Sequence, residues 1–183
     1  DRAINSDNLE DYWDSLTNNE MMTVDQRISR LHSVIDSAKL EEDDSWLSPE
    51  IDGTFNFDSP AKIMQALENS GSSWAMETLE VLQKRSPLML HVSLRQIRLG
   101  RHMSLADELR LERTLVQHCF YTHHLKRTGA QTETVEGIRA LVIDKDHNPA
   151  WNPTRIQSVT SEMVDPFFVS PWAETDHPLA DLN

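Results

Sequence analysis

Two groups of residues in this chain have types and spacings that could do chemistry. The first is Glu112, which interrupts an apolar stripe that Leu105, Leu109, Val116, Cys119 and Phe120 form at helical spacing. A carboxylate so placed could act as a general acid, or it could hold a structural ion pair with Arg95, Arg98, Arg113 or Arg139. We expect the ion pair. An unpaired buried charge is very costly, and structural networks perturb carboxylates as active sites do.

The second group lies in QHCFYTHHLK, which brings together His118, Cys119, His123 and His124. Cys119 and His123 are four residues apart and could share a metal ion on one helix face. No third or fourth ligand stands at a recognisable distance, so these are expected to be ordinary helix positions, with Cys119 in the core and no metal bound. A mid-helix thiol among apolar neighbours has its thiolate disfavoured, which argues against a nucleophile. No G-x-S-x-G elbow, phosphate loop or G-x-G-x-x-G fingerprint occurs, and the five glycines are never adjacent. An oxyanion pocket built on a glycine-rich turn therefore has no seat, and no catalytic residue is assigned.

The elements that would position these residues are helices. Leu9, Tyr12, Trp13 and Leu16 allow a short amphipathic helix, and Val24, Ile28, Leu31 and Ile35, with Ala38 and Leu40, trace one face of another. The acidic EEDDS linker ends it, and WLSPEIDGTFNFDSP is expected to be an irregular connector pinned by Trp46, Phe55 and Phe57. Ser59-Pro60 and Gly71 then bracket a helix from about residue 60 to 69, by a capping hydroxyl, a proline at the first helical position and a left-handed terminator. A second helix starts at Ser72 or Ser73 and runs to Lys84 and Arg85, and Ser86-Pro87 opens a third that Gly100 stops. Ser104 and Asp107 resemble a capping box at the head of the longest helix, expected over Leu105 to Lys126. Four helices with such short joints fold back on one another into a helical layer. VSLRQI and RALVIDK, with their β-branched residues, could instead form strands.

Composition narrows the function classes. The 183 residues suffice for one domain plus an arm, and opening on Asp1 suggests a processed product, a cut piece or part of something longer. No run of about 18 apolar residues and no signal-peptide pattern is present, so a soluble chain without a membrane partner is expected. The single Cys119 cannot form an internal disulfide, which fits a reducing compartment or simply a protein that does not use bridges. Of the formal charge of −13, all the excess lies early: residues 1–80 hold 18 acids against 5 Lys and Arg, and residues 81–183 hold 12 of each. The acidic part repels phosphate backbones, so no direct nucleic-acid binding is expected through it.

In LADELRLERTL, GSSWAMETLEVLQKRSPLMLHVSLRQIRLGR and EGIRALVIDKDHNPAWNP, the sequence resembles the C-terminal part of the 3-hydroxyisobutyryl-CoA hydrolase family, a branch of the crotonase (enoyl-CoA hydratase/isomerase) superfamily. Leu111-Glu112-Arg113, Glu136-Gly137, Arg139-Ala140, Asp144-Lys145-Asp146, Pro149, Trp151 and Pro153 carry the likeness, over roughly residues 59–156. The passage YTHHLKRTGAQTET and the tail VSPWAETDHPLADLN depart from it. The resemblance implies a mainly α chain, the helical C-terminal portion of a crotonase-like α/β fold with an acidic N-terminal arm. The expected divisions are residues 1–58 as arm and connector, 59–156 as the crotonase-type helical region and 157–183 as an extended tail.

The resemblance further implies mitochondrial CoA-thioester hydrolysis in valine breakdown, with no cofactor beyond the coenzyme A of the substrate. The catalytic groups would belong to a core preceding this region, which would be the main partner, together with acyl-CoA and a homo-oligomer or a mitochondrial ribosome. Arg139, Lys145 and Trp151 would then be candidates for the nucleotide end of CoA, where cations meet phosphate and a ring stacks on adenine. Otherwise DKDHNP simply ends a helix whose apolar face is RALVI, and Trp151 anchors the chain beyond it. A non-catalytic subunit of the mitochondrial small ribosomal subunit, or another crotonase such as an enoyl-CoA hydratase, are the alternative functions.

Overall fold

The computed structural model describes residues 9–10, 13–14, 22–37 and 48–182. Tyr12, Leu16, the EEDDS linker and Trp46 lie outside them. The chain divides into two compact units, Asp1–Ser48 and Pro49–Asn183. In the first, helix α1 spans Val24–Ser37. Thr23 and Gln26 cap it reciprocally: the Thr23 amide donates to the Gln26 side chain at 3.0 Å, and the Gln26 amide to the Thr23 hydroxyl at 3.3 Å. Val24 and Ile28, expected on its apolar face, are exposed.

The second unit has no strand among the described residues: VSLRQI is helix, and in RALVIDK the first five residues form a π turn that Asp144 and Lys145 leave. Its elements are α2 (Pro49–Phe55), α3 (Pro60–Ser70), α4 (Ser73–Gln83), α5 (Pro87–Gly100), α6 (Leu105–Phe120), α7 (Glu133–Ile138) and α8 (Ser161–Val164). The serine signals act as expected. The Ser59, Ser72, Ser86 and Ser104 hydroxyls accept from the Lys62, Ala75, Met89 and Asp107 amides, and Gly71 ends α3 at φ 64°.

Three boundaries differ from expectation. The connector expected to be irregular contains α2, which begins with the same Ser-Pro pair as α3 and α5. Its Glu50 carboxylate accepts from the Ser70 and Ser72 hydroxyls, both at 2.5 Å, and so ties α2 to the α3–α4 joint; the compact unit starts at Pro49 rather than near residue 59. Helix α6 stops at Phe120 rather than Lys126, and a 3-10 turn His123–Leu125 with Lys126 at φ 56° follows. The Thr122 hydroxyl donates to the His118 carbonyl at 3.0 Å, giving the α6 end a local partner that no glycine or proline marks in the sequence.

Residues 157–183 are not an extended tail. Val164 and Phe167 lie in the core with Leu88, Val92 and Leu115, and Phe167 is only 1% exposed. A second cluster, Ile63, Leu67, Ala75 and Leu79, closes the α3–α4 hairpin. Burying a Phe or Leu side chain contributes roughly 1.5–3 kcal/mol, so the terminal segment is part of what holds α5 and α6 together.

Candidate functional site

The residues EGIRALVIDKDHNPAWNP form a hook held from inside by carboxylates. Helix α7 opens with Thr132, whose hydroxyl accepts from the Val135 amide at 3.3 Å. It continues into a wider π turn over Arg139–Ile143, which the Asp144 amide closes on the Arg139 carbonyl at 2.8 Å. Only Ala140 of this turn is buried; Leu141, Val142 and Ile143 remain exposed, Ile143 at 67%. RALVI therefore offers its apolar side chains outward.

Arg139 is the centre of the hook. Its Nε and one Nη donate to both oxygens of Glu136 at 2.9 and 2.8 Å, its other Nη to Asp144 at 2.6 Å and Asp146 at 2.7 Å, and the fifth N–H reaches the Asn148 carbonyl at 3.1 Å. A guanidinium carries five donors, so none is left for a phosphate. The Glu136, Asp146 and Asp144 carboxylates hold its pKa further above the already high guanidinium value. In return the Arg139 bond, seconded by the Ala150 amide, holds Glu136 below the usual carboxylate range, and Asp146 is lowered by Arg139 and the Asn148 amide. Arg139 therefore organises the hook, with its donors committed to Glu136, Asp144, Asp146 and Asn148.

Glu133, one turn earlier, is the carboxylate that sequence reasoning missed. It is 7% exposed, accepts from the Ser86 hydroxyl and from the Asn152 amide at 3.0 Å, and pairs with Arg127 at 3.5 Å. Arg127 also donates to the Asn152 carbonyl, next to the cis Asn152–Pro153 bond. Glu133 and Glu136 sit at i, i+3, so one helix turn grips both Asn152 and Ala150. That spacing, with acids three, five and seven residues from Arg139, was the available signal.

Trp151 packs inside this frame. Its indole N–H donates to the Lys84 carbonyl at 3.0 Å, and a Cβ at Gly137 would lie 3.3 Å from its ring. Trp151 is therefore tied to the end of α4 through the Lys84 carbonyl. Lys145 is different. It is exposed at φ 55°, with His147 at φ 53°, and its side chain makes no hydrogen bond or ion pair among the described residues. A left-handed conformation at two non-glycine residues is held by the Arg139 hub and by the His147 amide on the Ala140 carbonyl at 3.1 Å. Arg139, Lys145 and Trp151 thus share one hook, yet only Lys145 presents a free charge.

Glu112 is exposed and does not form the expected ion pair. Its contact is the Gln96 amide at 3.4 Å, which also donates to Glu108 at 3.2 Å. The stripe around it is exposed too, with Leu105 at 77% and Leu109, Val116 and Phe120 open; Cys119 alone is half-buried. Burial raises the Cys119 thiol above its ordinary pKa. The histidines serve the terminal segment: His118 Nε2 bonds the Val169 carbonyl at 2.8 Å and His124 Nε2 the Met163 carbonyl at 3.0 Å, with both rings edge-on to Phe167. Among the described residues no group of three possible ligands surrounds a metal-sized site.

A family model described as enoyl-CoA hydratase/isomerase matches residues 1–168. The chain is 38% identical over 118 residues to the mitochondrial 3-hydroxyisobutyryl-CoA hydrolase of Gallus gallus, covering 64% of this chain and 28% of that protein. It is 34% identical over 137 residues to the mitochondrial 3-hydroxyisobutyryl-CoA hydrolase of Homo sapiens, covering 73% and 33%. To the probable 3-hydroxyisobutyryl-CoA hydrolase 2 of Arabidopsis thaliana it is 38% identical over 122 residues, covering 64% and 31%. The chain therefore spans about a third of the length of these curated relatives. In fold it matches the crystal structure of a carnitinyl-CoA dehydratase from Mycobacterium thermoresistibile with TM-score 0.65 and 24% identity, over 92% of this chain and 44% of that one.

Proposed function

The chain belongs to the enoyl-CoA hydratase/isomerase family, and from that premise we propose that it is the C-terminal helical part of a 3-hydroxyisobutyryl-CoA hydrolase-like enzyme. The enzyme would release free coenzyme A and a 3-hydroxy acid from the thioester in mitochondrial valine breakdown, with coenzyme A supplied by the substrate and no other cofactor. The catalytic groups lie in the remaining two thirds of the protein. One observation carries this division of labour: Leu105, Leu109, Val116 and Phe120 along α6, with Leu141 to Ile143 on the hook, leave apolar faces open that a partner fold must cover. No described helix is long and apolar enough to cross a membrane.

In this reading the helices lie over the core and the hook closes the nucleotide end of the acyl-CoA site. Lys145 supplies the cation there, and the Arg139 hub fixes the loop so that the lysine arrives already placed. A point charge on a flexible stem suits a phosphate met at the solvent edge, whereas Trp151 is committed to Lys84 and serves as a strut.

The test is release of free coenzyme A from 3-hydroxyisobutyryl-CoA by this chain joined to the rest of the protein. Turnover by the joined protein and none by residues 1–183 alone supports the reading. Lys145→Ala should raise KM several-fold and leave kcat nearly unchanged, as expected for loss of uniform binding. Hydrolysis by the 183 residues alone would overturn the division of roles. No release by the joined protein, with co-sedimentation on mitochondrial ribosomal small subunits, would replace the enzyme with the scaffold.

A further inference from the structure

Three rungs join α7 and its π turn to the returning limb of the hook. The Glu133 carboxylate accepts from the Asn152 amide at 3.0 Å, the Glu136 carboxylate accepts from the Ala150 amide at 2.6 Å, and Arg139 donates to the Asn148 carbonyl at 3.1 Å. Positions 133, 136 and 139 advance by threes while 152, 150 and 148 step back by twos, so one strip of helix surface holds alternate residues of the limb. The rungs run from inside to outside: the Glu133 side chain is 7% exposed, that of Glu136 14% and that of Arg139 30%.

At the buried end Arg127 completes the grip. One Nη of Arg127 lies 3.5 Å from the Glu133 carboxylate and also donates to the Asn152 carbonyl. Asn152 is therefore held through its N–H by the acid and through its C=O by the base. The other Glu133 oxygen accepts from the Ser86 hydroxyl, which caps α5, so this rung fastens the hook to the start of that helix. Arg127 and Glu133 both belong to YTHHLKRTGAQTET, the passage in which the chain departs from the family resemblance. Lys145 stands at the opposite, exposed end of the ladder.

Removing one member of a buried ion pair leaves the other charge uncompensated. Without Arg127 the Glu133 carboxylate keeps only the Ser86 hydroxyl and the Asn152 amide, and turning towards water would release both. Six residues separate Glu133 from Arg139, about 9 Å along a helix, so a small rotation at the buried end displaces the tip that carries Lys145. We infer that Arg127 and Glu133 are a positioning pair that sets where Lys145 meets the anionic end of the substrate. The inference rests on the role proposed above for Lys145, and it adds to the Arg139 hub, which shapes the tip, a second device that aims it.

The test is a double-variant cycle on the KM of the joined protein for 3-hydroxyisobutyryl-CoA. Arg127→Gln should raise KM several-fold, by no more than Lys145→Ala does, and leave kcat within about twofold. In the K145A background R127Q should raise KM no further, because its effect runs through a charge that is no longer there. A role confined to stability would instead lower Tm and leave the KM of the folded enzyme unchanged. Arg127→Lys keeps a cation for Glu133 and a donor for Asn152, and should restore most of the parent KM. Glu133→Gln decides the matter if R127Q folds poorly: its amide oxygen can serve the Asn152 N–H and its amide nitrogen the Ser86 oxygen, so the charge that pairs with Arg127 is what is lost. Its KM should rise only while Lys145 is present. An unaltered KM in folded R127Q or E133Q, or an increase that adds in full to that of K145A, would overturn the pair's role. An unaltered KM in K145A would overturn the reading of Lys145 itself, and the pair's role with it.

Discussion

The indole N–H of Trp151 donates to the carbonyl oxygen of Lys84, so the far end of the hook is bolted to the last turn of α4. Helix C-termini leave carbonyls without intrahelical partners, and a rigid aromatic donor satisfies one while covering Gly137. Trp151→Phe keeps most of the ring and removes only the donor; water can reach the exposed Lys84, so the expected loss is about 1 kcal/mol. Trp151→Ala also removes the packing and should cost about 3 kcal/mol. Urea unfolding of both variants measures the difference, and equal losses would show that the hydrogen bond contributes most of the anchoring.

The hook should loosen in acid. Glu136 and Asp146 are held below the usual carboxylate range by Arg139, so protons bind the unfolded chain first. Their contribution is complete above the ordinary carboxylate pKa and is lost as pH falls below about 4. Arg139→Gln should start less stable at neutral pH and show a flatter acid decline, because less remains to be lost. Arg139→Lys keeps the charge but not the fork, and should speed exchange of the His147 amide that closes the loop on Ala140. A parallel acid decline in parent and R139Q would remove the hub as its cause.

What could be read from the sequence follows the range of the interactions. Ser59, Ser72, Ser86 and Ser104 cap helices through amides three residues on, so local chemistry announced them. The same Ser-Pro pair opened α2, but Gly53, Phe55 and Phe57 made that segment resemble a connector. Periodicity located the α6 stripe but could not tell whether anything covers it, which is why Glu112 was given an ion pair it does not have. Glu133 and Phe167 were harder still, since their partners Ser86 and Leu88 lie far away in sequence and meet them only after folding. At the hook the residues were legible and their division of labour was not: Arg139 and Lys145 are both cations, and only the three surrounding carboxylates distinguish hub from free charge.

A second pH effect belongs nearer neutrality. Burial lowers the pKa of His91, and burial together with the His118 and Arg127 charges lowers that of His124. For a base with a lowered folded pKa the unfolded chain again binds the proton first, so stability is full at about pH 7 and declines below about 6.5. His124→Gln retains an N–H donor for the Met163 carbonyl and cannot titrate, so the decline should be shallower. Thermal unfolding between about pH 7.5 and 5.5 brackets the ordinary imidazole pKa. An unchanged slope in the H91Q/H124Q double variant would mean that other groups set it.

The terminal segment should prove indispensable to the fold. Phe167 is 1% exposed among Leu88, Val92, Leu115 and Val164, and its ring meets the His124 and His118 rings at centroid distances of 5.0 and 6.1 Å. Phe167→Ala empties the centre of that cluster and should cost about 3–5 kcal/mol. A domain of this size holds only about 5–15 kcal/mol in total, so the variant should unfold at much lower urea and release the His118 and His124 contacts together. Val169→Ala, two residues on and 63% exposed, should change stability by no more than about 0.5 kcal/mol and serves as the control. If F167A loses less than about 1 kcal/mol, a value typical of surface positions, the segment is an appendage and α5 and α6 are held by other contacts.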